Sequence, residues 1–223
     1  MQQTPAHEMH NPDLLRLIPA AARRLIEIGC SAGALAREFK KIVPDCDYLG
    51  VEIDAGYAGL AKRYCDRSVV LDIEQADDAF WSENADRDCW IFGDTLEHLR
   101  DPWAVLGRIR QRIPAAGSVV ACIPNAQHWS LQARLSVGDF RYAQDGLLDR
   151  THLRWFTRQT IIEMFDQAGF AIAEGMPRIF DEPQRDRFLP AIEQLARQAG
   201  ADPRIAVEDA LALQYVVRAV PKA

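Results

Sequence analysis

Short apolar runs alternate with helical patterns along the first half of the chain, and this alternation limits the fold more than any other feature. RRLIEIG (23–29), DYLGVEID (47–54), SVVLDIE (68–74), DCWIFGDT (88–95) and GSVVACIP (117–124) read as strands. Between them, ALAREFKKI (34–42) and AGYAGLAKRY (55–64) read as helices. Asp101-Pro102 opens a further helix toward Ile113, with Asp at the N-cap and Pro in the first turn. Strands separated by helices return to one sheet as parallel neighbours through right-handed crossovers. Their near-continuous apolar character suits burial on both faces. The expected class is α/β, with a doubly wound sheet.

The pattern breaks after Pro124. Residues 125–156 show no clean period and are rich in Arg, Asp, His and Trp, so they are expected to form a functional loop or lid. Thr157 then caps the helix TRQTIIEMFDQAG, which Gly169 ends. FAIAEGMPRIF (170–180) and LALQYVVRAV (211–220) read as two late strands around an amphipathic helix, RFLPAIEQLARQAG (187–200). A chain of 223 residues can bury one good core, so residues 1–223 are expected to form one domain, with 125–156 as a lid or acceptor-binding insertion.

The net charge of −6 argues against a nucleic-acid partner, because neutralising phosphates takes surplus Lys and Arg. Five cysteines (30, 46, 65, 89 and 122) form no C-x-x-C pair, which argues against a zinc site or a disulfide framework. The scattered carboxylates suggest no cation site either, so no metal is expected. MQQTPAHEMHNPD has no apolar leader core, and no apolar run approaches membrane-spanning length. With an odd cysteine count this predicts a reducing, cytoplasmic setting and no membrane span.

Gly29-Cys30-Ser31-Ala32-Gly33 fits G-x-S-x-G, the nucleophile elbow of a serine hydrolase. That elbow needs several strands before it, whereas only about 22 residues precede this first strand. The alternative is a strand-to-helix turn that approaches a cofactor. Its small residues let the backbone come close to a ligand. Glu52 ends the second strand, where a carboxylate can accept from both hydroxyls of a ribose. The spacing is not G-x-G-x-x-G, which argues against a pyrophosphate cradle.

These residues resemble class I S-adenosylmethionine-dependent methyltransferases over most of the chain. LIEIGCSAGALA resembles the family's first motif, YLGVEID its ribose-binding acid and VVLDIE its adenine-side acid. DCWIFGDTLEHLRDPWAVLGRI resembles its fourth strand and following helix, and GSVVACIPN its fifth strand. Ser31 stands where many members have glycine. The resemblance implies a Rossmann-like, seven-stranded, mostly parallel sheet ending in an antiparallel hairpin. It also implies S-adenosyl-L-methionine as cofactor, contacted by Glu27, Gly29, Ser31, Gly33, Glu52, Ile53, Asp72, Ile73, Asp94, Thr95 and His98. For Glu27 the competing role is partner to an arginine, and for His98 a capping or core histidine.

HNPDLLRLIP, ACIPNAQHWS, GDFRY and GLLDRTHLRWFT are similar to bacterial methyltransferases found alongside glycosyltransferases and surface-polysaccharide genes. This implies a small acceptor, a hydroxyl of a sugar or glycan precursor, and glycan-synthesis enzymes as partners. DTLEHLRDPWAVL and IPNAQHW also resemble a methionine-biosynthesis protein of the same fold with little methyl transfer.

The catalytic candidates are His152, His128 and Asp149. Asp149 and His152 can form a carboxylate–imidazole pair that raises basicity and fixes the tautomer. Alternatively Asp149, Arg150 and Arg154 form ion pairs that pin the segment. Asn125, Gln127, His128 and Trp129 suit either an acceptor site or a loop anchored by the Trp. The arginines at 134, 141, 150, 154 and 158 suit an anionic substrate or neutralisation of Asp139, Asp145 and Asp149.

Overall fold

A computed structural model describes residues 9–222 of the chain. Seven strands form one sheet in the order β3-β2-β1-β4-β5-β7-β6. They are β1 (Arg24–Ile28), β2 (Asp47–Glu52), β3 (Arg67–Val70), β4 (Cys89–Gly93), β5 (Ser118–Pro124), β6 (Phe170–Arg178) and β7 (Gln214–Pro221). The first five pair in parallel. β7 runs antiparallel to both β5 and β6. The expected Rossmann-like sheet with a C-terminal antiparallel hairpin is therefore the observed one.

Strand alternation divides the core. Ile26, Ile28, Leu49, Val51, Trp90, Phe92, Val119 and Ala121 bury one face. Leu25, Tyr48, Cys89, Ile91, Val120, Cys122 and Val216 bury the other. All five cysteines are buried and free.

Several expected boundaries shift. β3 stops at Val70, not Glu74, because Asp72 turns the chain into a short 3-10 turn and accepts from Glu74 N at 3.0 Å. The 125–156 segment is not all loop. It contains α6 (Trp129–Ser136), and among the nine α-helices of the described residues α1 (Pro12–Leu17), α4 (Asp78–Glu83) and α9 (Pro203–Leu211) likewise lie beyond the helices expected from the sequence. Each is short. α9 carries the same signal as α5 (Pro102–Arg110), an Asp N-cap followed by Pro.

The sheet reverses its winding between β1 and β4, where a doubly wound sheet opens a crevice at its carboxyl edge. The two non-glycine residues with positive φ among the described residues flank it, Ser31 (47°) after β1 and Asp94 (54°) after β4. Thr95 Oγ1 joins the two exits by donating to Ile28 O at 2.9 Å. Gly29, at φ 75°, leaves room for that hydroxyl, since a Cβ there would lie 2.6 Å from it. Gly29→Ala should cost about 1–3 kcal/mol in chemical denaturation through clash and backbone strain. In a Thr95→Ala background, which already lacks the bond to Ile28 O, Gly29→Ala should cost less, by the part due to the clash.

Candidate active site

The turn after β1 is held by backbone bonds. Gly29 N and Cys30 N donate to Val51 O at 2.8 and 3.2 Å, and Gly33 N donates to Cys30 O at 2.9 Å. Gly29, Ser31 and Gly33 all take left-handed φ. At Gly33 a Cβ would stand 3.2 Å from the Ala61 backbone, so the turn packs directly on α3 (Ala55–Ala61). The buried Glu52 carboxylate closes the turn from β2. Its Oε2 accepts from Ser31 N at 2.8 Å, and Oε1 accepts from Ile53 N at 2.8 Å and Asp54 N at 3.1 Å. The bare backbone facing an acid at the next strand's end is a cradle that fits an adenosine-type cofactor.

Glu27 lies beneath this turn on the α1 side of the sheet. Tyr48 Oη donates to Glu27 Oε2 at 2.9 Å, so its hydrogen bond comes from a phenol and not from an arginine. Burial raises the Glu27 pKa from 4.5 to about 8, with Tyr48 opposing and Glu52 assisting. At the β3 end, the half-buried Asp72 caps its own turn. Ile73 is a core residue at 3% exposure, whereas Ile53 is 51% exposed beside Glu52. Of the two isoleucines expected near a cofactor ring, Ile53 is the one with a free apolar face.

After β4 the chain links the turn after β1 to the late segment. Gln214 Nε2 donates to Asp94 Oδ1. Two residues beyond Thr95, Glu97 O accepts from Leu153 N (2.8 Å) and Arg154 N (3.0 Å). This brings His98 and His152 together edge to face, with ring centroids 4.8 Å apart. His98 Nδ1 lies 3.2 Å from both Thr151 O and Thr151 Oγ1, and His152 Nδ1 lies 3.3 Å from Leu147 O. Burial lowers both imidazole pKa values. Asp149 Oδ1 accepts from Thr151 N at 2.7 Å and Thr151 Oγ1 at 2.6 Å. Its charge acts on both rings through space, while carbonyl groups orient them. Glu97, 1% exposed, belongs to the same group. An acid beside a histidine at the exit of an apolar strand was the signal available for it in the sequence.

His128 sits elsewhere. Its Nδ1 is 2.8 Å from Ser130 Oγ and its Nε2 is 3.1 Å from Glu182 Oε2. Trp129 donates to the same Glu182 and stacks on Phe188. Asn125 is a structural clamp, donating to Asp209 O and Ala212 O at 2.7 and 2.8 Å. Arg134 and Arg141 pair with Asp139, and Arg158 pairs with Asp209. Arg154 donates to backbone carbonyls of Leu153 and Arg100.

Residues 6–174 match a family described as "Methyltransferase domain". The fold is similar to that of a SAM-dependent methyltransferase from Archaeoglobus fulgidus, at 18% identity and TM-score 0.63, with 94% of this chain and 91% of that one covered. It is also similar to magnesium protoporphyrin IX methyltransferase from Synechocystis PCC 6803 with bound SAH, at 12% identity and TM-score 0.57, covering 91% of this chain and 76% of that one. A comparison with curated proteins finds no match.

The raised pKa of Glu27 sets a stability trend. Ionising the buried group is disfavoured, so its contribution is fully present below pH 4.5 and is lost as pH rises through about 8. Glu27→Gln keeps the acceptor for Tyr48 without the charge. Its melting temperature should exceed that of the wild type at pH 8.5, with the gap closing toward pH 4.5 in parallel thermal scans.

Proposed function

This chain belongs to the methyltransferase-domain family and uses S-adenosylmethionine as its cofactor, and we propose that it methylates a hydroxyl of a small sugar or glycan precursor. The observation that carries the cofactor site is the first strand-to-helix turn, with left-handed φ at Gly29, Ser31 and Gly33 facing the Glu52 carboxylate at the sheet's switch point. Glu52 holds the ribose, and Ser31 N–H shares Oε2 with a ribose hydroxyl. Ile53 covers one face of the adenine and Asp72 borders its amino group. Glu27, Gly29, Gly33, Asp94, Thr95 and His98 complete the surround.

When bound, S-adenosylmethionine supplies an electrophilic methyl group on a sulfonium. The chain's own task is to hold the acceptor in line, exclude water and remove the acceptor's proton. His152 is the proposed base. Donation from its Nδ1–H to Leu147 O leaves Nε2 unprotonated, and burial keeps the ring neutral near pH 7. Asp149 holds Thr151, and through it His98, against this ring. His128, occupied by Ser130 and Glu182, is a positioning residue of α6 in this reading.

The sugar assignment is supported by an aromatic patch joined to His152. Leu147 O accepts from both His152 and Trp155 Nε1. Trp155 contacts Phe140 and Tyr142, which are 41% and 53% exposed, as ring faces that stack on sugar rings would be. In this reading residues 125–156 close over the acceptor within one domain spanning the chain. The enzyme works in the cytoplasm beside the glycan-synthesis enzymes that make or consume its acceptor. No helix of the described residues is long and apolar enough to cross a membrane.

Calorimetry tests the cofactor site. Glu52→Ala should weaken S-adenosylmethionine binding by about 1.5–3 kcal/mol, the range for hydrogen bonds to a charged group. Unchanged affinity in the folded variant would remove Glu52 from the site. Turnover tests the base. His152→Ala should lower kcat by about 10²–10⁴-fold with cofactor affinity nearly intact. Weaker cofactor binding with normal kcat would move His152 out of the acceptor side.

A further inference from the structure

We infer that Glu97, His98 and His152 form a binding site for one divalent transition-metal ion of the zinc class, set between the β4 exit and the 147–153 segment. One ligand atom from each residue lies within 4.8 Å of the others. Ligands of a tetrahedral ion at about 2.0–2.1 Å stand about 3.4 Å apart, so small side-chain rotations close the set. The linear sequence hides this group, because His152 reaches it through long-range contacts, among them the two amides that bond Glu97 O and the contact of Thr151 with His98.

Two independent observations point to a cation. The first is Glu97. Its carboxyl is buried at 1% exposure, and neither oxygen has a hydrogen-bond partner. A buried carboxyl without a partner is costly, and a metal ion would supply one. The second is the state of the imidazoles. Each ring has Nδ1 against a backbone carbonyl, of Thr151 for His98 and of Leu147 for His152. That contact fixes the proton on Nδ1 and leaves Nε2 with its lone pair, as in metal-ligating histidines. The nearby charges of Asp94 and Asp149 act on Glu97 and favour a cation over an anion there. One carboxylate and two imidazoles suit zinc, cobalt and manganese, and the absence of a thiolate disfavours Cu(I).

Bound metal would tie the late segment to the strand exit. Three protein ligands leave a position for water or an acceptor oxygen. The Nε2 lone pair of His152 can hold the cation or the acceptor's proton, not both, so metal loading and base catalysis at His152 exclude each other. The site itself rests on geometry and does not depend on the methyl-transfer reading.

The test uses the full chain without S-adenosylmethionine. Chelator-stripped protein is loaded with Zn²⁺, dialysed and analysed for metal, and loaded in parallel with Co²⁺ for visible absorption. The expected results are one equivalent of Zn²⁺ and the intense bands of low-coordinate Co²⁺. Glu97→Gln and His152→Ala, shown folded by circular dichroism, should each weaken Zn²⁺ at least tenfold. No retained Zn²⁺ in the wild type would overturn the site. So would a full equivalent in the Glu97→Gln/His152→Ala double variant. Calorimetry with S-adenosylmethionine on the same stripped protein reports separately on the cofactor site, so the two readings fail independently.

Discussion

The Glu52 carboxylate, accepting from the backbone amides of Ser31, Ile53 and Asp54, is the interaction on which the proposed cofactor side depends. It ends β2, fixes the entry to α3 and holds the turn after β1 in a conformation that a chain with side chains adopts reluctantly. Ser31 at φ 47° is tolerated because its amide is paid for by a charge-assisted bond. The turn is thus preorganised, and it lies where the sheet changes winding.

The second constraint is the continuity from β4 into the late segment. Thr95 reaches back to β1, and Glu97 O reaches forward to residues 153 and 154. A stretch of a few residues therefore sets the distance between the turn after β1 and the imidazoles. This explains why titratable groups concentrate there: Glu97 and His98 are far in sequence from Asp149 and His152, yet both stretches depend on the same strand exit. Function and strain share the crevice because it is where regular sheet pairing ends.

Much of this was legible in the sequence. Strands buried on both faces announce themselves as unbroken apolar runs, and the acid at the end of the second run marks the ligand edge. The seven-stranded sheet with its late antiparallel hairpin was implied by the resemblance to class I methyltransferases, whereas the strand order itself is seen in the structure. What was hidden has physical causes. α1 and α4 have 6 residues each, too few for a helical period, and α6 lies in a polar segment where only Trp129 and Leu131 are buried. Glu27's partner could not be read, because Tyr48 approaches across neighbouring strands through register, not through spacing. The carbonyl contact at His152 Nδ1, and the tight turn at 149–152 that directs the Asp149 carboxylate onto Thr151, could not be read from spacing in the sequence. Glu97 was visible as a letter but not as a buried group.

The central claim is that S-adenosylmethionine sits against the turn after β1 and the end of β2. Hydrogen–deuterium exchange with and without saturating S-adenosylmethionine tests it most directly. The account predicts slower exchange in peptides covering 28–35 and 50–56, with the β6–β7 hairpin unchanged. Unchanged exchange in both peptides, with protection confined to other segments, would contradict it.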